Sequence, residues 1–347
     1  SYELALKCDP KQKETRLALA RTYGASPKHL QRSAEEFLWL ANQEPFEIKY
    51  YEGLRSAYDN MGQRGDGEVI ASTMFFLDPK AVGAKECEPR PIKNPLKEEM
   101  MRDIIHPWEN SPVRLVIAPL VPYLYRFSPH GEDPLAVKRA RSVGASYLPS
   151  VRSLWDEVSS LIEPGHVVCS LTDGAVPDGC WFSSSSSVFW NGPLLKSLSV
   201  SEARFVFGRA LELVKSGYPA LRDVKPDLWP VLIQSISAML KGEKPPDNQL
   251  RWRQRRFLKK VKKQIAGLDE KTQHFIASNI HRVRAQDWLQ GIVYRANRVG
   301  LLVAGGIAPA ASALLKMKGL ALLTQRMASQ GALGVFAEPS ITQPIKA

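Results

Sequence analysis

Three proline-terminated segments recur at nearly equal spacing near the start of the chain. The segments CDP, QEP and LDP end at Pro10, Pro45 and Pro79, which are 35 and 34 residues apart. An amphipathic helical pattern precedes each proline, and a second one begins after it. A pair of short helices cannot bury its apolar face alone, because it needs neighbouring pairs to complete a core. The spacing therefore predicts a stack of helical hairpins.

This period resembles that of the tetratricopeptide repeat. The segment SYELALKCDP is similar to the end of a repeat's second helix, and two further helical pairs follow it. The alternative is a row of amphipathic hairpins that matches the repeat by coincidence. Helical spacing places two sets of residues on single helix faces, namely Leu17, Ala20 and Tyr23, and Tyr51, Leu54 and Tyr58.

Proline content and composition divide the chain further. We expect tetratricopeptide-like repeats over residues 1–88, a proline-rich break over 89–95, a helical domain over 96–334 and a loose tail over 335–347. The expected fold class is mostly α, with tetratricopeptide-type hairpins packed on a helical domain that carries a small β-hairpin or sheet.

The helical domain begins with several helical patterns and then changes character. Helical patterns run over 97–108, 112–127 and 133–162. A β-prone stretch near 166–190 is punctuated by Asp-Gly and Pro-Asp-Gly, which predicts a hairpin. Helical patterns resume at Leu194.

The stretch SEARFVFGRALELVKSGY at residues 201–218 has the outline of a metal-binding helix. Its position after a small hairpin resembles the order found in HtpX-type gluzincin metallopeptidases. In that family this helix carries H-E-x-x-H, whose two histidines bind zinc while the glutamate acts as general base. A later E-x-x-A-D-R-x-G segment supplies the third zinc ligand, and it is matched here by residues 293–300.

The residues that this resemblance assigns to the chemistry are all replaced. Arg209 and Leu213 stand at the histidine positions, Ala210 at the general base and Val293 at the third ligand. Arginine stays charged and only donates hydrogen bonds, and the other three side chains have no ligand atom. Several framing residues are kept, namely Glu202, Ala296, Arg298 and Gly300, whereas Asn297 replaces the aspartate.

The resemblance therefore implies an inactive gluzincin-like domain without a metal or other cofactor. The alternatives are an unrelated helical domain with a chance match and a working zinc peptidase. His166, Cys169 and Cys180 come closest to metal-ligand spacing elsewhere, but they fit no recognised zinc pattern and predict a hairpin with buried thiols. The chain has no phosphate-binding glycine motif of the kinds that bind nucleotides.

A run of five serines lies in the β-prone stretch. It lacks the G-x-S-x-G frame of a serine nucleophile, so it predicts a strand edge or a loop. In the active family an edge strand of the small sheet faces the peptide substrate. We expect the corresponding edge here to pair with an extended peptide without cutting it, at Ser183, Ser184, Ser185, Ser186 and Ser187.

The chain is strongly basic, with a formal net charge of +12 and a pI near 9.5. Much of the excess lies in one amphipathic helical pattern over 250–268, whose apolar stripe leaves a basic face. This face is either a solvated surface or a docking site for an acidic protein, a nucleic acid or lipid headgroups. Its cations are Arg251, Arg253, Arg255, Arg256, Lys259, Lys260, Lys262 and Lys263.

Two bulk features bear on where the protein resides. The apolar run at 299–315 is interrupted by glycines and a proline, so it predicts a buried helix–turn–helix rather than a membrane span. The four cysteines are too few and too scattered for a disulfide framework, which favours reduced thiols in the cytoplasm. The chain does not begin with Met, which indicates a fragment of a longer chain, and the resemblance implies the C-terminal part of a longer bacterial repeat protein.

These patterns predict a non-catalytic scaffold or adaptor for protein partners, including acidic ones. Binding of peptides without cleavage is part of that expectation. The alternative is binding of nucleic acid or another anionic surface through residues 251–263. An enzyme with unrecognised chemistry is a further alternative class.

Overall fold

A computed structural model describes residues 2–109, 141–142, 149–172, 179–184, 187–222, 228–244, 252–280, 284–319 and 330–333. The chain divides into two compact units. The first unit joins Ser1–Arg90 to Gly306–Ala347, and the second unit is Pro91–Gly305. The described residues are mostly helical and include a small sheet, which confirms the expected mostly α class.

The first unit begins with consecutive helices that pack in chain order. Each contacts the next, and α2 also contacts α4. A short 3₁₀ turn, Pro27–His29, separates the second from the third. The helices are α1 (Tyr2–Cys8), α2 (Lys13–Gly24), α3 (Leu30–Gln43), α4 (Ile48–Asn60) and α5 (Arg64–Leu77).

The core of these helices comes from the apolar faces that residue spacing predicted. Ala20 and Leu54 are buried, and half-buried neighbours such as Leu17 pack against the same cluster. The ring of Phe37 on α3 lies so close to Gly53 on α4 that a Cβ there would fall 2.2 Å from it. The absence of a side chain at Gly53 therefore lets α3 and α4 approach closely.

The second unit combines helices with the sheet. Its described elements in chain order are α6 (Glu98–Ile104), a 3₁₀ turn (Pro107–Glu109), β1 (Arg141–Ser142), α7 (Pro149–Ile162), β2 (Val168–Thr172), β3 (Cys180–Ser184), β4 (Ser187–Asn191), α8 (Gly192–Ser197), α9 (Val200–Lys215), α10 (Tyr218–Arg222), α11 (Leu228–Leu240), α12 (Trp252–Ala266), α13 (Glu270–Asn279) and α14 (Ala285–Ala304).

The sheet has the strand order β1-β2-β4-β3. β3 and β4 form an antiparallel hairpin with an irregularity between Phe182 and Ser184, whereas β2 pairs in parallel with β4. The predicted hairpin is thus present, but β4 lies between β2 and β3. Every residue of β2 from Cys169 to Thr172 is buried, because neighbouring elements cover both of its faces.

A short strand replaces part of a predicted helix. Residue spacing predicted helix over 133–162, but Arg141 and Ser142 pair antiparallel with Leu171 and Ser170 of β2. This part of the prediction was wrong, because long-range pairing with a strand overrides local helical periodicity. Helix α7 begins only at Pro149, a residue that favours the first helical position.

Helices α9 and α14 pack against each other at two glycines. A Cβ at Gly300 would lie 2.8 Å from the backbone oxygen of Phe205, and one at Gly208 would lie 3.3 Å from Cα of Gly300. Side chains at these positions would force the two backbones apart. The glycines therefore set the distance between the helices that carry the candidate site.

A further helix, α15 (Ile307–Met317), belongs to the first unit and contacts α5. Leu77 at the end of α5 packs against Ala332, and Gly331 adopts a left-handed φ of 72° beside the Leu77 carbonyl. The predicted division differs here, since it assigned residues up to 334 to the domain that begins at residue 96. The pattern of the sequence did not reveal that this segment packs on α5.

Glycines also divide the apolar run at 299–315. Gly305, with a φ of 77°, ends α14, and Gly306 precedes α15. The turn is the one that the sequence predicted. Among the described residues, no helix combines the length and the apolar character needed to cross a membrane.

Candidate functional site

The positions that the gluzincin resemblance assigns to metal chemistry lie on the paired helices α9 and α14. Ala210 and Leu213 on α9 are almost completely buried, at 0% and 1% exposure. Arg209 on α9 and Val293 on α14 are half-buried. Ala210 and Leu213 therefore pack in the core, whereas Arg209 and Val293 remain partly accessible.

Arg209 joins the two motif segments directly. Its Nε donates a hydrogen bond to Oδ1 of Asn297 over 2.8 Å, across the contact between α9 and α14. Asn297 stands at the aspartate position of the later segment, and Val293 lies one turn before it on the same face of α14. The structure thus brings Arg209 and Asn297 together through a hydrogen bond between the two helices.

A capping box fixes the start of α9. The backbone N–H of Glu202 donates to Oγ of Ser199 over 3.3 Å, and the backbone N–H of Ser199 donates to the Glu202 carboxylate over 2.6 Å. Glu202 was matched to the acidic residue that precedes the metal motif. Its observed contact is with the helix terminus, where it satisfies a backbone N–H.

The sulfur and histidine candidates do not converge. Cys169 lies on β2 and Cys180 on β3, with β4 between them, and His166 is exposed. Burial raises the pKa of the Cys169 thiol to about 12, which keeps it protonated at neutral pH. Within the described residues, no group of three or more His, Cys, Asp or Glu side chains could hold a metal ion.

A buried ion cluster is the feature of this region that residue spacing did not reveal. Arg295 on α14 lies 2.7 Å from Oε2 of Glu109 and 2.9 Å from Oε1 of Glu212 on α9. Its guanidinium also donates to Oγ of Ser216, which in turn donates to the Glu212 carbonyl oxygen over 2.6 Å. All three charged side chains are at most 8% exposed, so the cluster fastens the 3₁₀ turn and α9 to α14.

Burial controls the titration of Glu212. It raises the pKa of Glu212 above its usual value, although Arg295, Lys215 and Ser216 act in the opposite direction. Two carboxylates share the Arg295 guanidinium here, and for Glu212 the cost of burying the charge outweighs the effect of its cationic neighbours. The sequence signal for these residues was weak, because an acidic side chain on a helix usually indicates a solvated face.

An aromatic cluster covers the outer side of the same turn. The rings of His106, Trp108 and Tyr294 lie with centroids 4.8 to 5.8 Å apart. Arg298, one turn beyond Tyr294, donates to the Ile104 carbonyl over 3.1 Å. Burial, and then the charge of Arg298, lowers the pKa of His106. These contacts hold the segment before Glu109 on α14.

The serine run is only partly on a strand edge. Ser183 and Ser184 end β3, which is an outer strand of the sheet in its described part. Ser187 begins β4, which pairs on both sides, so the expectation that Ser187 lies on an edge was wrong. Ser185 and Ser186 lie outside the described residues.

The basic segment forms α12 as predicted. Leu258, Val261 and Ile265 are buried along one side, while the described cationic side chains are exposed. Arg251 lies outside the described residues, and Arg253, Arg256 and Lys260 occupy positions on the helix. The exposed cations are Arg255, Lys259, Lys262 and Lys263.

Similarity to known proteins does not extend these observations. Comparison with protein-family models, with curated proteins and with solved structures found no match to the chain. The tetratricopeptide and gluzincin resemblances therefore stay predictions.

We predict that Glu212→Gln gains stability relative to the wild type as pH rises. A carboxyl whose pKa is raised in the folded state stabilises the fold at low pH and loses that contribution above the ordinary value of 4.5. Glutamine does not titrate and still accepts from Arg295. The free energy of unfolding of Glu212→Gln minus that of the wild type should therefore increase with pH. Between the pKa values of Glu212 in the unfolded and the folded state, the increase should be up to about 1.4 kcal/mol per pH unit.

Urea unfolding at a series of pH values measures this difference. Glu99→Gln is the matched control, because Glu99 is an exposed residue of the same unit. Parallel pH profiles for the wild type and Glu212→Gln would contradict the assignment of a raised pKa to Glu212.

Proposed function

We propose that the chain is a non-catalytic scaffold or adaptor for protein partners, in which tetratricopeptide-like repeats are combined with a degenerate gluzincin-like domain. The non-catalytic part rests on the side chains that occupy the positions assigned to zinc binding and to the general base. Ala210 and Leu213 are packed in the core, and Arg209 is held by Asn297. A buried methyl group and a guanidinium offer neither a zinc ligand nor a general base.

The helical hairpins support the scaffold part of the proposal. Solenoid repeats bind partners on the surface formed by equivalent helices of successive repeats. Contact between α2 and α4, the first helices of two successive pairs, is consistent with such a surface. Thr22 of α2 and Ser56 of α4 are exposed positions on those two helices.

The outer strand β3 supports peptide binding without cleavage. Ser183 and Ser184 end this strand, so an extended peptide could add to it by backbone hydrogen bonds. Free cysteines are consistent with the cytoplasm as the site of action, which is also a proposal. The partners we expect are proteins, including acidic ones.

We predict that three substitutions restore a zinc site. In the variant Arg209→His, Leu213→His, Val293→Glu, the gluzincin resemblance brings the new side chains together at the lost metal position. Elemental analysis should then find about one zinc per chain, as expected for a site with three protein ligands. Zinc should also raise the thermal midpoint, because a metal that binds only the folded state stabilises it.

The matched control replaces Val293→Glu with Tyr294→Glu, which turns the carboxylate by about 100° around α14. Equal zinc uptake by the two variants would overturn the gluzincin-like assignment. Stoichiometric zinc in the wild-type protein, or hydrolysis of casein by it, would overturn the non-catalytic assignment.

Photo-crosslinking can test the repeat surface. A photoreactive residue at Thr22 or Ser56 should crosslink the same protein in extracts of the native host, since both positions face one proposed partner surface. Asn42 of α3 is the control, because it is exposed on a second helix of a pair. Mass spectrometry identifies the products; equal capture at all three positions, or at none, would contradict the proposed surface.

A second candidate function is the binding of anionic surfaces through α12. The exposed side chains of Arg255, Lys259 and Lys262 recur at helical spacing, so they form a cationic stripe about 90° around α12 from the buried one. Residues 1–90 carry thirteen basic and fourteen acidic side chains, so the basic excess lies in the rest of the chain. The apolar side of α12 is buried, which disfavours insertion of this helix into a membrane.

We predict that charge reversal on this stripe abolishes any binding to nucleic acid. The variant Arg255→Glu, Lys259→Glu, Lys262→Glu, Lys263→Glu should lose an electrophoretic shift that the wild type shows at low salt, because phosphate contacts supply that affinity. The control reverses Arg21, Lys7, Lys11 and Lys28, which are exposed in the first unit and give the same net charge. No shift with the wild type, or equal loss in both variants, would remove this candidate.

A further inference from the structure

The charge of Arg209 is an exception among the half-buried and buried arginines of the described residues. Arg16 pairs with Glu36, Arg204 pairs with Glu157, and Arg295 pairs with two carboxylates. These side chains are 8% to 18% exposed, and a carboxylate offsets the cost of removing each charge from water.

Arg209 contacts a neutral amide instead. Its described polar contact is the hydrogen bond from Nε to Asn297, and within the described part of the chain no carboxylate lies at ion-pair distance from it. The amide orients the guanidinium but leaves its positive charge uncompensated. A fixed, partly desolvated cation without a counter-charge is a favourable place for an anion.

The geometry of the guanidinium selects the kind of anion. Because Nε is engaged by Asn297, the edge formed by the two terminal Nη groups keeps its donors. Two parallel N–H donors match the two oxygens of a carboxylate. The neighbouring position on α14 is the apolar Val293, which favours a carboxylate carried on an organic chain over a small hydrated ion.

We propose that Arg209 and Asn297 form a carboxylate-binding site for a peptide, placed where the gluzincin resemblance would put zinc. The site rests on the proposed function, since it names the chemistry by which a non-cleaving domain holds its partner. The carboxylate comes from a peptide C-terminus or from an acidic side chain. Asn297 is a positioning residue, because it acts through Arg209.

The test follows the Nε–H signal of Arg209 by nuclear magnetic resonance in the full chain. Arg209→Lys assigns the signal by removing it. Sodium acetate should shift the signal to saturation, whereas sodium chloride at the same ionic strength should not. The signal of Arg204, whose guanidinium is paired with Glu157, should stay unchanged and serves as the internal control.

Asn297→Asp supplies the sharpest variant. Its new carboxylate would neutralise Arg209, so the apparent affinity for acetate should fall by at least about tenfold, as expected for loss of a charge-assisted contact. Asn297→Ala, which removes the amide without adding charge, should retain a response to acetate. An unchanged affinity in Asn297→Asp would overturn the site, as would an unresponsive Arg209 signal in the wild type.

Three peptide probes then identify the source of the carboxylate. Acetyl-tetra-alanine with a free C-terminus, its C-terminal amide, and an amidated peptide containing one glutamate compete with acetate. Competition by the free C-terminus alone supports a C-terminal carboxylate. Competition by the glutamate-containing peptide alone supports a side-chain carboxylate. Competition by the amide equal to that of both acids would overturn the inference.

Failure of this site and failure of the proposed function are distinguishable. An unresponsive Arg209 signal together with a crosslinked partner at Thr22 and Ser56 would remove the carboxylate site and leave the scaffold. Zinc in the wild-type protein would remove the non-catalytic assignment whatever the acetate result.

Discussion

The buried cluster around Arg295 is the interaction on which the second unit most depends. Glu109, Glu212 and Arg295 come from the 3₁₀ turn, α9 and α14, and all three are almost completely buried. Loss of one partner from such a cluster typically costs about 3–5 kcal/mol, because it leaves an uncompensated charge. The three elements therefore have to stay in register, and the close contact at Gly300 leaves little space for adjustment.

Two arginines of this pair of helices lie in different surroundings. Arg295 is enclosed and paired with two carboxylates, whereas Arg209 lies at the partly accessible edge beside an amide. The ion cluster around Arg295 holds α9 and α14 in place. Because these helices are fixed, the position of the Arg209 guanidinium is fixed as well. A pre-positioned donor loses little conformational freedom when it binds, so even a single ion pair can contribute to recognition.

Residue spacing predicted the helices well and the long-range contacts poorly. The buried faces at Ala20 and Leu54 follow from local periodicity, which reports on neighbours within one helix. The position of β4 between β2 and β3 depends on pairing between distant segments, which periodicity does not encode. For the site, motif matching singled out Arg209 and Asn297 but did not predict the hydrogen bond between them, and the Arg295 cluster has no local signature, because its partners lie far apart in the sequence.

Gly305, in the left-handed conformation, is the last residue of the second unit. The chain then continues into α15, which belongs to the first unit and contacts α5. The second unit is thus an insertion within the first. During synthesis the N-terminal helices leave the ribosome well before α15, so the surface of α5 around Leu77 remains without its final cover until α15 and Ala332 have followed. The first unit can reach its complete core only after the inserted unit has been translated, which makes its maturation a late event in the synthesis of these two units.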